Sequence, residues 1–241
     1  MNKNVLITGG SSGLGKSTAE LFAKKGYNII ISYNTHKKEA EALKEELEKK
    51  YNIKVLSIKV DITKEEEIQQ MIKEITDKFN TIDVLVNNAG IAIDTTFEDK
   101  TKEIFQKTLE VNLVGTFLVS KYVSKIMKKG SIINISSTNG IDSYYPFSMD
   151  YDSSKAGINL LTKNLAIELA PNIRVNAIAP GWINTPMNKD LSKEFKEEEI
   201  KKITLQRFAE PEEIANIIYF LATEEASYIN GSIIIADGGR K

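Results

Sequence analysis

Cysteine is absent from this chain of 241 residues, and histidine occurs once, at His36. A chain without cysteine has no disulfide, no thiolate zinc site, no iron–sulfur cluster and no cysteine nucleophile. A single histidine excludes metal sites built from several imidazoles and, unless His36 itself serves, a Ser-His-Asp hydrolase. We therefore expect no metal ion, and much hydrolytic chemistry is already excluded.

An excess of basic charge is also absent, since 32 Lys and Arg face 33 Asp and Glu and the formal net charge is −1. This balance argues against a nucleic-acid partner held by phosphate contacts. Only three of the basic residues are arginine, so bidentate anion clamps are scarce. The chain has no apolar run approaching the ~18 residues of a membrane span, and Val5–Ile7 is too short for a signal peptide. We expect a cytoplasmic protein with no membrane contact.

Short β-branched runs alternate with segments of helical periodicity along the whole chain, as in βαβ units with a parallel sheet. Several runs, such as Ile29–Ile31, are continuously apolar, which favours strands covered on both faces. The predicted strands are Val5–Thr8, Asn28–Tyr33, Lys54–Val60, Val84–Asn87, Ser131–Ser136, Arg174–Ile178 and Ser232–Ala236. The pattern predicts a doubly wound α/β fold.

Helical periodicity predicts long helices at about 101–127 and 152–169, and another at 211–222 with Pro211 in its first turn. Thr63 and Glu66 have the spacing of a capping box. The Lys- and Glu-rich segment at about 181–205 fits a pair of helices over a site. No linker or repeat interrupts the chain, so residues 1–241 are expected to form a single domain.

A glycine-rich turn follows the first predicted strand, with Gly9, Gly13 and Gly15 at its bends and Leu14 opening the next helix. Glycines let the main chain approach a ligand closely, and a helix N-terminus offers free N–H groups and a positive dipole end. A flexible turn without a ligand is the alternative. Its position between the first strand and the first helix favours a dinucleotide pyrophosphate bound here, against Ser11 and Ser12 as well as the glycines.

The end of the second predicted strand, where a carboxylate would bind the ribose 2′-hydroxyl of NAD, reads Asn34-Thr35-His36-Lys37-Lys38. No carboxylate is present, and Lys37 or Lys38 could pair with a 2′-phosphate. These lysines could also simply begin a solvated helix. We favour NADP(H) over NAD(H) as the cofactor.

Tyr151 and Lys155 are four residues apart, one turn along the same face of a predicted helix. A neighbouring ammonium stabilises a phenolate, and so would an oxidised nicotinamide, so the pair predicts a lowered pKa for Tyr151 and a general acid for a carbonyl oxygen. Ser137 follows a strand, at the edge where open α/β sheets bind ligands, and its hydroxyl could bind the same oxygen. Surface packing for the pair, and a strand-end cap for Ser137, are the alternatives.

Together these motifs resemble the short-chain dehydrogenase/reductase family, and the similarity covers essentially all of the chain. The motifs in family order are Thr8-Gly9-x-x-x-Gly13-x-Gly15, Asn87-Asn88-Ala89-Gly90, Asn112, Ser137, Tyr151-x-x-x-Lys155 and Pro180-Gly181. Two stretches near the carboxyl terminus, Arg207–Ala215 and Tyr228–Gly239, are similar to the 3-oxoacyl-[acyl-carrier-protein] reductase branch.

The resemblance implies a Rossmann-like sheet of seven strands that binds NAD(P) across their carboxyl ends. It implies that Tyr151 donates the proton, that Lys155 lowers its pKa and binds the nicotinamide ribose, and that Ser137 orients the carbonyl. Asn112 would hold a water that links Lys155 to solvent. The remaining cofactor contacts that it implies are Asp61 and Ile62 at the adenine, Asn88, Ala89 and Gly90 at the middle, and Pro180, Gly181, Ile183 and Thr185 at the nicotinamide. It also implies a homotetramer.

Two departures from the branch concern the substrate. The segment Tyr144–Met149 is aromatic where the branch is small and polar, and Pro171-Asn172 stands where the branch has an arginine suited to an acyl carrier protein. The rings could close the pocket over a compact substrate or simply pack the loop. Three hypotheses follow: a reductase of 3-oxoacyl thioesters, a dehydrogenase of a sugar, polyol or small ketone, and a non-catalytic dinucleotide sensor. The complete set of Asn112, Ser137, Tyr151 and Lys155 argues against the sensor.

Overall fold

The computed structural model describes residues 2–142, 145–189 and 191–240. Within them, seven strands form one parallel sheet in the order β3-β2-β1-β4-β5-β6-β7. The strands are β1 (Asn4–Thr8), β2 (Asn28–Tyr33), β3 (Val55–Lys59), β4 (Val84–Asn87), β5 (Gly130–Ile135), β6 (Ile173–Pro180) and β7 (Ile233–Ala236). The strand order reverses direction between β1 and β4, which confirms the predicted doubly wound, Rossmann-like sheet.

Helices connect the strands and cover the sheet. They are α1 (Gly13–Lys24), α2 (Lys37–Lys50), α3 (Glu65–Phe79), α4 (Lys102–Leu109), α5 (Thr116–Val123), α6 (Met149–Glu168), α7 (Lys193–Lys201) and α8 (Pro211–Ala222). Pro211 takes the first position of α8, as predicted, and the side chains of Glu210 and Glu213 form a capping box there.

Two apolar clusters lie on opposite faces of the sheet. Val5 and Ile7 of β1 pack on one face with Phe22 of α1, whereas Leu6 packs on the other face with Met71 of α3. Successive side chains of a strand point to opposite faces, and both faces of β1 are covered, so all five of its residues are buried. This is why the central strands are continuously apolar in sequence.

The predicted helix at 101–127 is not one regular helix. Between α4 and α5 the chain widens into a π-helical turn, Glu110–Gly115, and after α5 it narrows into a 3-10 turn, Ser124–Ile126. Asn112 lies inside the π turn and its side chain bonds the main chain of Ile91. A π turn accommodates an extra residue in a helix and is frequent at functional sites, so the irregularity coincides with a predicted site residue.

Two other details of the sequence prediction are wrong. Helix α3 begins at Glu65, and Thr63 does not cap it, because Thr63 donates its hydroxyl to the Asp61 carboxylate at 2.8 Å. The segment at 181–205 contains one α-helix, α7, and one 3-10 turn, Pro186–Asn188, among its described residues, where a pair of helices was expected.

A membrane-crossing helix would have to be long and apolar, and no helix among the described residues is both.

Candidate active site

The predicted site residues follow β1, β4 and β5, whose carboxyl ends lie side by side in the sheet. Thr8 ends β1, Asn87 ends β4 and Ile135 ends β5, and the residues after them line one edge of the sheet. Ligands of open α/β sheets bind at this edge, near the point where the strand order reverses.

The glycine-rich turn has a main-chain shape that other residues disfavour. Gly9 and Gly13 have φ values of +63° and +51°, and a Cβ on Gly15 would lie 2.4 Å from the Gly9 carbonyl oxygen. Among the described residues, no acidic side chain lies in the first turn of α1. Ser12 is the N-cap residue of α1 and its side chain makes no capping hydrogen bond, so the first N–H groups of α1 remain available to a phosphate. The turn therefore fits a dinucleotide pyrophosphate, with Ser11, Ser12 and Leu14 beside it.

Asn88 and Thr8 hold the glycine-rich turn against the end of β4. The Asn88 side-chain nitrogen donates to the carbonyl oxygens of Thr8 at 3.0 Å and Gly9 at 3.1 Å. The Thr8 hydroxyl accepts hydrogen bonds from the main-chain N–H groups of Asn88 and Ala89, each at 3.0 Å. The predicted middle contacts thus also support the turn.

The adenosine end of the predicted cofactor site is more open. Asn34, His36, Lys37 and Lys38 are exposed at the carboxyl end of β2, where a ribose substituent would meet their polar groups. Asp61 Oδ1 accepts hydrogen bonds from the N–H and hydroxyl of Thr63.

The side chain of Ile62 is buried and lies against Gly115 of the π turn.

The structure brings Ser137, Tyr151 and Lys155 together. Ser137 follows β5, and its hydroxyl lies close enough to the phenol of Tyr151, in the first turn of α6, to lower the pKa of that phenol. Lys155 lies one turn further along α6, with its Nζ 5.3 Å from the ring centroid of Tyr151. That Nζ donates to the carbonyl oxygen of Ile135 at 2.7 Å.

The pKa of Tyr151 is shifted in the direction opposite to the one predicted. Burial raises the pKa of Tyr151 to about 12, against a smaller lowering by the Ser137 hydroxyl. Burial also lowers the pKa of Lys155 to about 8. Burial removes water from both the phenolate of Tyr151 and the ammonium of Lys155, and this ammonium donates its hydrogen bond to Ile135. In the chain without a cofactor, Tyr151 is therefore a protonated phenol that has one proton to donate.

Asn112 is pinned rather than free. Its Oδ1 accepts from the Ile91 N–H at 2.8 Å, and its Nδ2 donates to the Ile91 carbonyl oxygen at 2.9 Å and to the Ser154 hydroxyl at 3.0 Å. Asn112 Oδ1 and the Asn112 main-chain carbonyl oxygen, which accepts from the Thr116 hydroxyl at 2.8 Å, each keep a second lone pair for a water. A Cβ on Gly90 would lie 3.2 Å from Asn112 Oδ1 and 3.8 Å from Lys155 Nζ, so these three residues converge.

The residues predicted at the nicotinamide follow β6. Gly181 passes close to Asp237, where a Cβ would lie 3.0 Å from its Cα, and Ile183 forms a parallel bridge with Ala209. Thr185 lies 3.4 Å from the Cβ position of Gly13, so this segment reaches the glycine-rich turn. Pro180 is buried at the end of β6.

Sequence reasoning missed an aromatic cluster near this edge of the sheet. Trp182 stacks on Phe208 with ring centroids 5.6 Å apart, and Phe195 of α7 lies edge-on to Trp182 at 5.6 Å and to Tyr145 at 5.9 Å. The predicted aromatic segment contributes Tyr145 and its neighbour Phe147, while Tyr144 lies outside the described residues. The sequence shows these large side chains, but it does not show that they meet across four segments.

The missed residues include a buried ion pair. Lys100 Nζ lies 2.8 Å from Asp150 Oδ1, and the two side chains are 3% and 0% exposed. Asp150 directly precedes Tyr151, which is the one signal in the sequence that could have drawn attention to it.

Known proteins are similar to this chain over nearly its whole length. Residues 9–241 match a family model described as enoyl-(acyl carrier protein) reductase. The chain is 42% identical over 238 residues to 3-oxoacyl-[acyl-carrier-protein] reductase FabG of Aquifex aeolicus, covering 97% of this chain and 95% of that protein. It is 38% identical over 244 residues to glucose 1-dehydrogenase 2 of Bacillus subtilis, covering 98% and 94%.

Solved structures share the fold over nearly the whole chain. L-sorbose reductase from Gluconobacter frateurii, solved with NADPH and L-sorbose, superposes with a TM-score of 0.92 at 30% identity, over 99% of this chain and 96% of that one. A glucose/ribitol dehydrogenase from Brucella melitensis superposes with a TM-score of 0.93, also at 30% identity, over 99% and 96%. The chain belongs to the short-chain dehydrogenase/reductase family and is an oxidoreductase.

Proposed function

We propose that this oxidoreductase uses NADPH to reduce a ketone to an alcohol, with a 3-oxoacyl thioester as the substrate class favoured by its relatives. The observation that carries the proposal is the meeting of the Ser137 hydroxyl, the Tyr151 phenol and the Lys155 ammonium beside the glycine-rich turn. A pure dinucleotide sensor would have no use for a phenol placed one helical turn from an ammonium and beside a serine hydroxyl.

The roles of the chain's own groups follow from this geometry. When bound, the nicotinamide supplies the hydride to the carbonyl carbon and, once oxidised, a positive charge that favours the phenolate. Ser137 orients the carbonyl oxygen, and Tyr151 gives that oxygen its proton, so the carbonyl becomes an alcohol. Lys155 binds the nicotinamide ribose, and it is largely protonated at neutral pH because its pKa is about 8.

Asn112 is the last member of this set. It holds a water at its main-chain carbonyl, which links Lys155 to solvent and returns the proton that Tyr151 gives up.

Two observations support NADPH over NADH. Lys37 and Lys38 are exposed at the end of β2, where the chain has no carboxylate to accept a ribose 2′-hydroxyl. The sorbose reductase of similar fold was solved with NADPH.

A second substrate class, a sugar, polyol or small ketone, is favoured by the aromatic cluster. Tyr145 lies in the loop before α6, Trp182 in the segment after β6 and Phe195 in α7. Their ring contacts join these three segments and so narrow the proposed substrate pocket. Flat rings suit a compact substrate better than a long acyl arm. Relatives named glucose 1-dehydrogenase and L-sorbose reductase support this class.

The assembly and partners are also part of the proposal. Phe117 of α5 and Leu160 and Ile167 of α6 are exposed, as are Tyr228 and Ile235 near β7. Two separate apolar faces suit a homotetramer in the cytoplasm, with one interface on each. Lys128 and Lys129 supply basic charge that an acyl carrier protein would need. Lys129, however, lies 3.5 Å from Glu224, so its charge is partly compensated.

The test is a substrate panel followed by NADPH absorbance, then repeated with NADH. A 3-oxoacyl thioester, free and carrier-bound, is compared with ketoses, aldoses and small ketones. Turnover of any of these supports the oxidoreductase chemistry, and the ranking of kcat/KM selects the class. Saturable cofactor binding without turnover of any carbonyl or alcohol would contradict the proposal.

A further inference from the structure

Asp150, the residue directly before Tyr151 in the chain, belongs to a buried network of charged groups that the proposed chemistry does not use. Lys100 Nζ donates to Asp150 Oδ1 at 2.8 Å and to the Ile93 carbonyl oxygen at 2.6 Å. Asp150 Oδ2 accepts the hydroxyl of Thr108 at 2.6 Å. Both carboxylate oxygens are therefore bonded, and the bonds hold the pKa of Asp150 below its usual value despite its burial.

The network joins three segments that meet at the site. Ile93 lies in the loop after β4, two residues beyond the Ile91 that pins Asn112. Thr108 lies in α4, and Asp150 lies in the first turn of α6, next to Tyr151. One ammonium and one carboxylate thus fix the start of the helix that carries the phenol.

Packing alone does not explain why these two buried residues are charged. Withdrawing an ammonium and a carboxylate from water costs several kcal/mol per ion, and a neutral pair of similar volume is often as stable or more so. Buried ion pairs are better explained by what they position. Here the neighbouring residue is the proposed proton donor, whose acidity responds to any charge left uncompensated nearby.

We propose that Lys100 and Asp150 are positioning residues for Tyr151, which hold the first turn of α6 in register and cancel each other's charge beside the phenol. The proposal rests on the proposed role of Tyr151 as the proton donor. Lys100 acts only through Asp150 and the loop after β4.

The other charged groups near Tyr151 and near the ion pair determine the expected direction of each pKa shift. Tyr151 faces the ammonium of Lys155 and the carboxylates of Asp152 and Asp94, and the two carboxylates raise its pKa. Asp94 also faces the ion pair formed by Lys100 and Asp150. Removing the charge of Lys100 leaves one more net negative charge near the phenol, whereas removing that of Asp150 leaves one more positive charge.

The experiment compares Lys100→Met, Asp150→Asn and the double variant. We expect Lys100→Met to raise the apparent pKa of Tyr151 by about half a unit to one unit and Asp150→Asn to lower it by a similar amount. The double variant should return to within about 0.3 units of the original value. Each single variant should lower kcat by about tenfold, with the Kd for NADPH unchanged.

Two readouts keep this test separate from the proposed function. The pH profile of kcat is measured with a substrate from the panel, and the tyrosinate absorbance of the NADP+ complex is titrated against the same complex of Tyr151→Phe. Lys102→Met, an exposed lysine at the start of α4, is the control and should leave both readouts unchanged. Should Lys100→Met fail to fold, Lys100→Gln removes the same charge but keeps a donor for Ile93.

Opposite shifts that cancel in the double variant support the proposal, because a merely structural role would shift both single variants alike. Equal shifts, or none, in variants that fold would overturn it. An active Tyr151→Phe enzyme would instead remove the proposed function itself.

Discussion

The cofactor side of the candidate site is built from main chain, whereas its substrate side is built from large side chains. On the first side, Gly9, Gly13 and Gly15 shape a turn that Asn88 and Thr8 brace through main-chain contacts. On the second side, Tyr145, Trp182 and Phe195 meet edge to edge across three segments. In the proposed reaction, Tyr151 acts between the two sides.

The difference shows where specificity resides. A turn that binds phosphate through N–H groups depends on which residues lack a side chain, and many sequences share that solution. Ring packing depends on which large side chains happen to meet, and small changes there alter the substrate without touching the cofactor. The chain is similar over nearly its whole length both to a relative named for an acyl substrate and to one named for a sugar.

The largest effect on kcat is expected at Tyr151, the residue that acts between the two sides. Tyr151→Phe removes the transferable proton and should lower kcat by about 10²–10⁴-fold, with the Kd for NADPH changed by less than about twofold. Steady-state kinetics and cofactor titration measure the two quantities. Tyr219→Phe, which removes a hydroxyl from a ring packed on Phe22, is the matched control. Near-normal kcat in Tyr151→Phe would refute the assigned acid.

The next largest effect is expected on the cofactor side. Gly15→Ala places a Cβ 2.4 Å from the Gly9 carbonyl oxygen, so the turn has to open. We expect the Kd for NADPH to rise about a hundredfold, or ~2.7 kcal/mol. Gly26→Ala, at a φ of +83° with nothing within 4 Å of the added Cβ, should cost stability but leave this Kd unchanged. Equal Kd values in both variants would show that the turn does not bind the cofactor.

A charge reversal at the rim of the cofactor side should have a smaller effect. Lys37→Glu with Lys38→Glu should weaken NADPH binding about tenfold and NADH binding hardly at all, since a 2′-phosphate would face like charge. The double reversal Lys49→Glu with Lys50→Glu, at the other end of α2, controls for net charge. Equal weakening of both cofactors would remove the basis for NADP preference.

The smallest effect is expected on the substrate side. Phe195→Ala removes the ring that contacts Trp182 and Tyr145, and should raise kcat/KM for a bulky ketone relative to a compact one by about threefold. Trp182 is the single tryptophan of the chain, so its fluorescence reports the changed contact directly. An altered emission without any change in substrate ranking would mean that the cluster only packs α7.

The same comparison explains what the sequence could and could not predict. The strands could be predicted from their continuous apolar runs, and the glycine-rich turn from the spacing of its glycines. Both signals are local properties of the sequence. The predicted meeting of Ser137, Tyr151 and Lys155 depends on parallel strands ending at one edge, which is a property of the fold class.

What the sequence could not predict depends on tertiary contacts. The pairing of Lys100 with Asp150 joins residues 50 positions apart, and no pattern around either predicts the other. The pKa of Tyr151 was predicted in the wrong direction because the spacing of Lys155 fixed its face of α6 but not its burial or its bond to Ile135. The π turn at Asn112 was missed for a similar reason, since it forms around contacts with Ile91.

The central claim is that a hydride passes between a nicotinamide and a carbonyl carbon while Tyr151 protonates the oxygen. Its most direct test is NADPH carrying deuterium at C4, on the face from which the hydride leaves, with the best substrate of the panel. We predict that the deuterium appears on the carbinol carbon of the product with the enzyme and is almost absent with Tyr151→Phe. Product that carries solvent hydrogen at that carbon, or equal label transfer by Tyr151→Phe, would contradict this account.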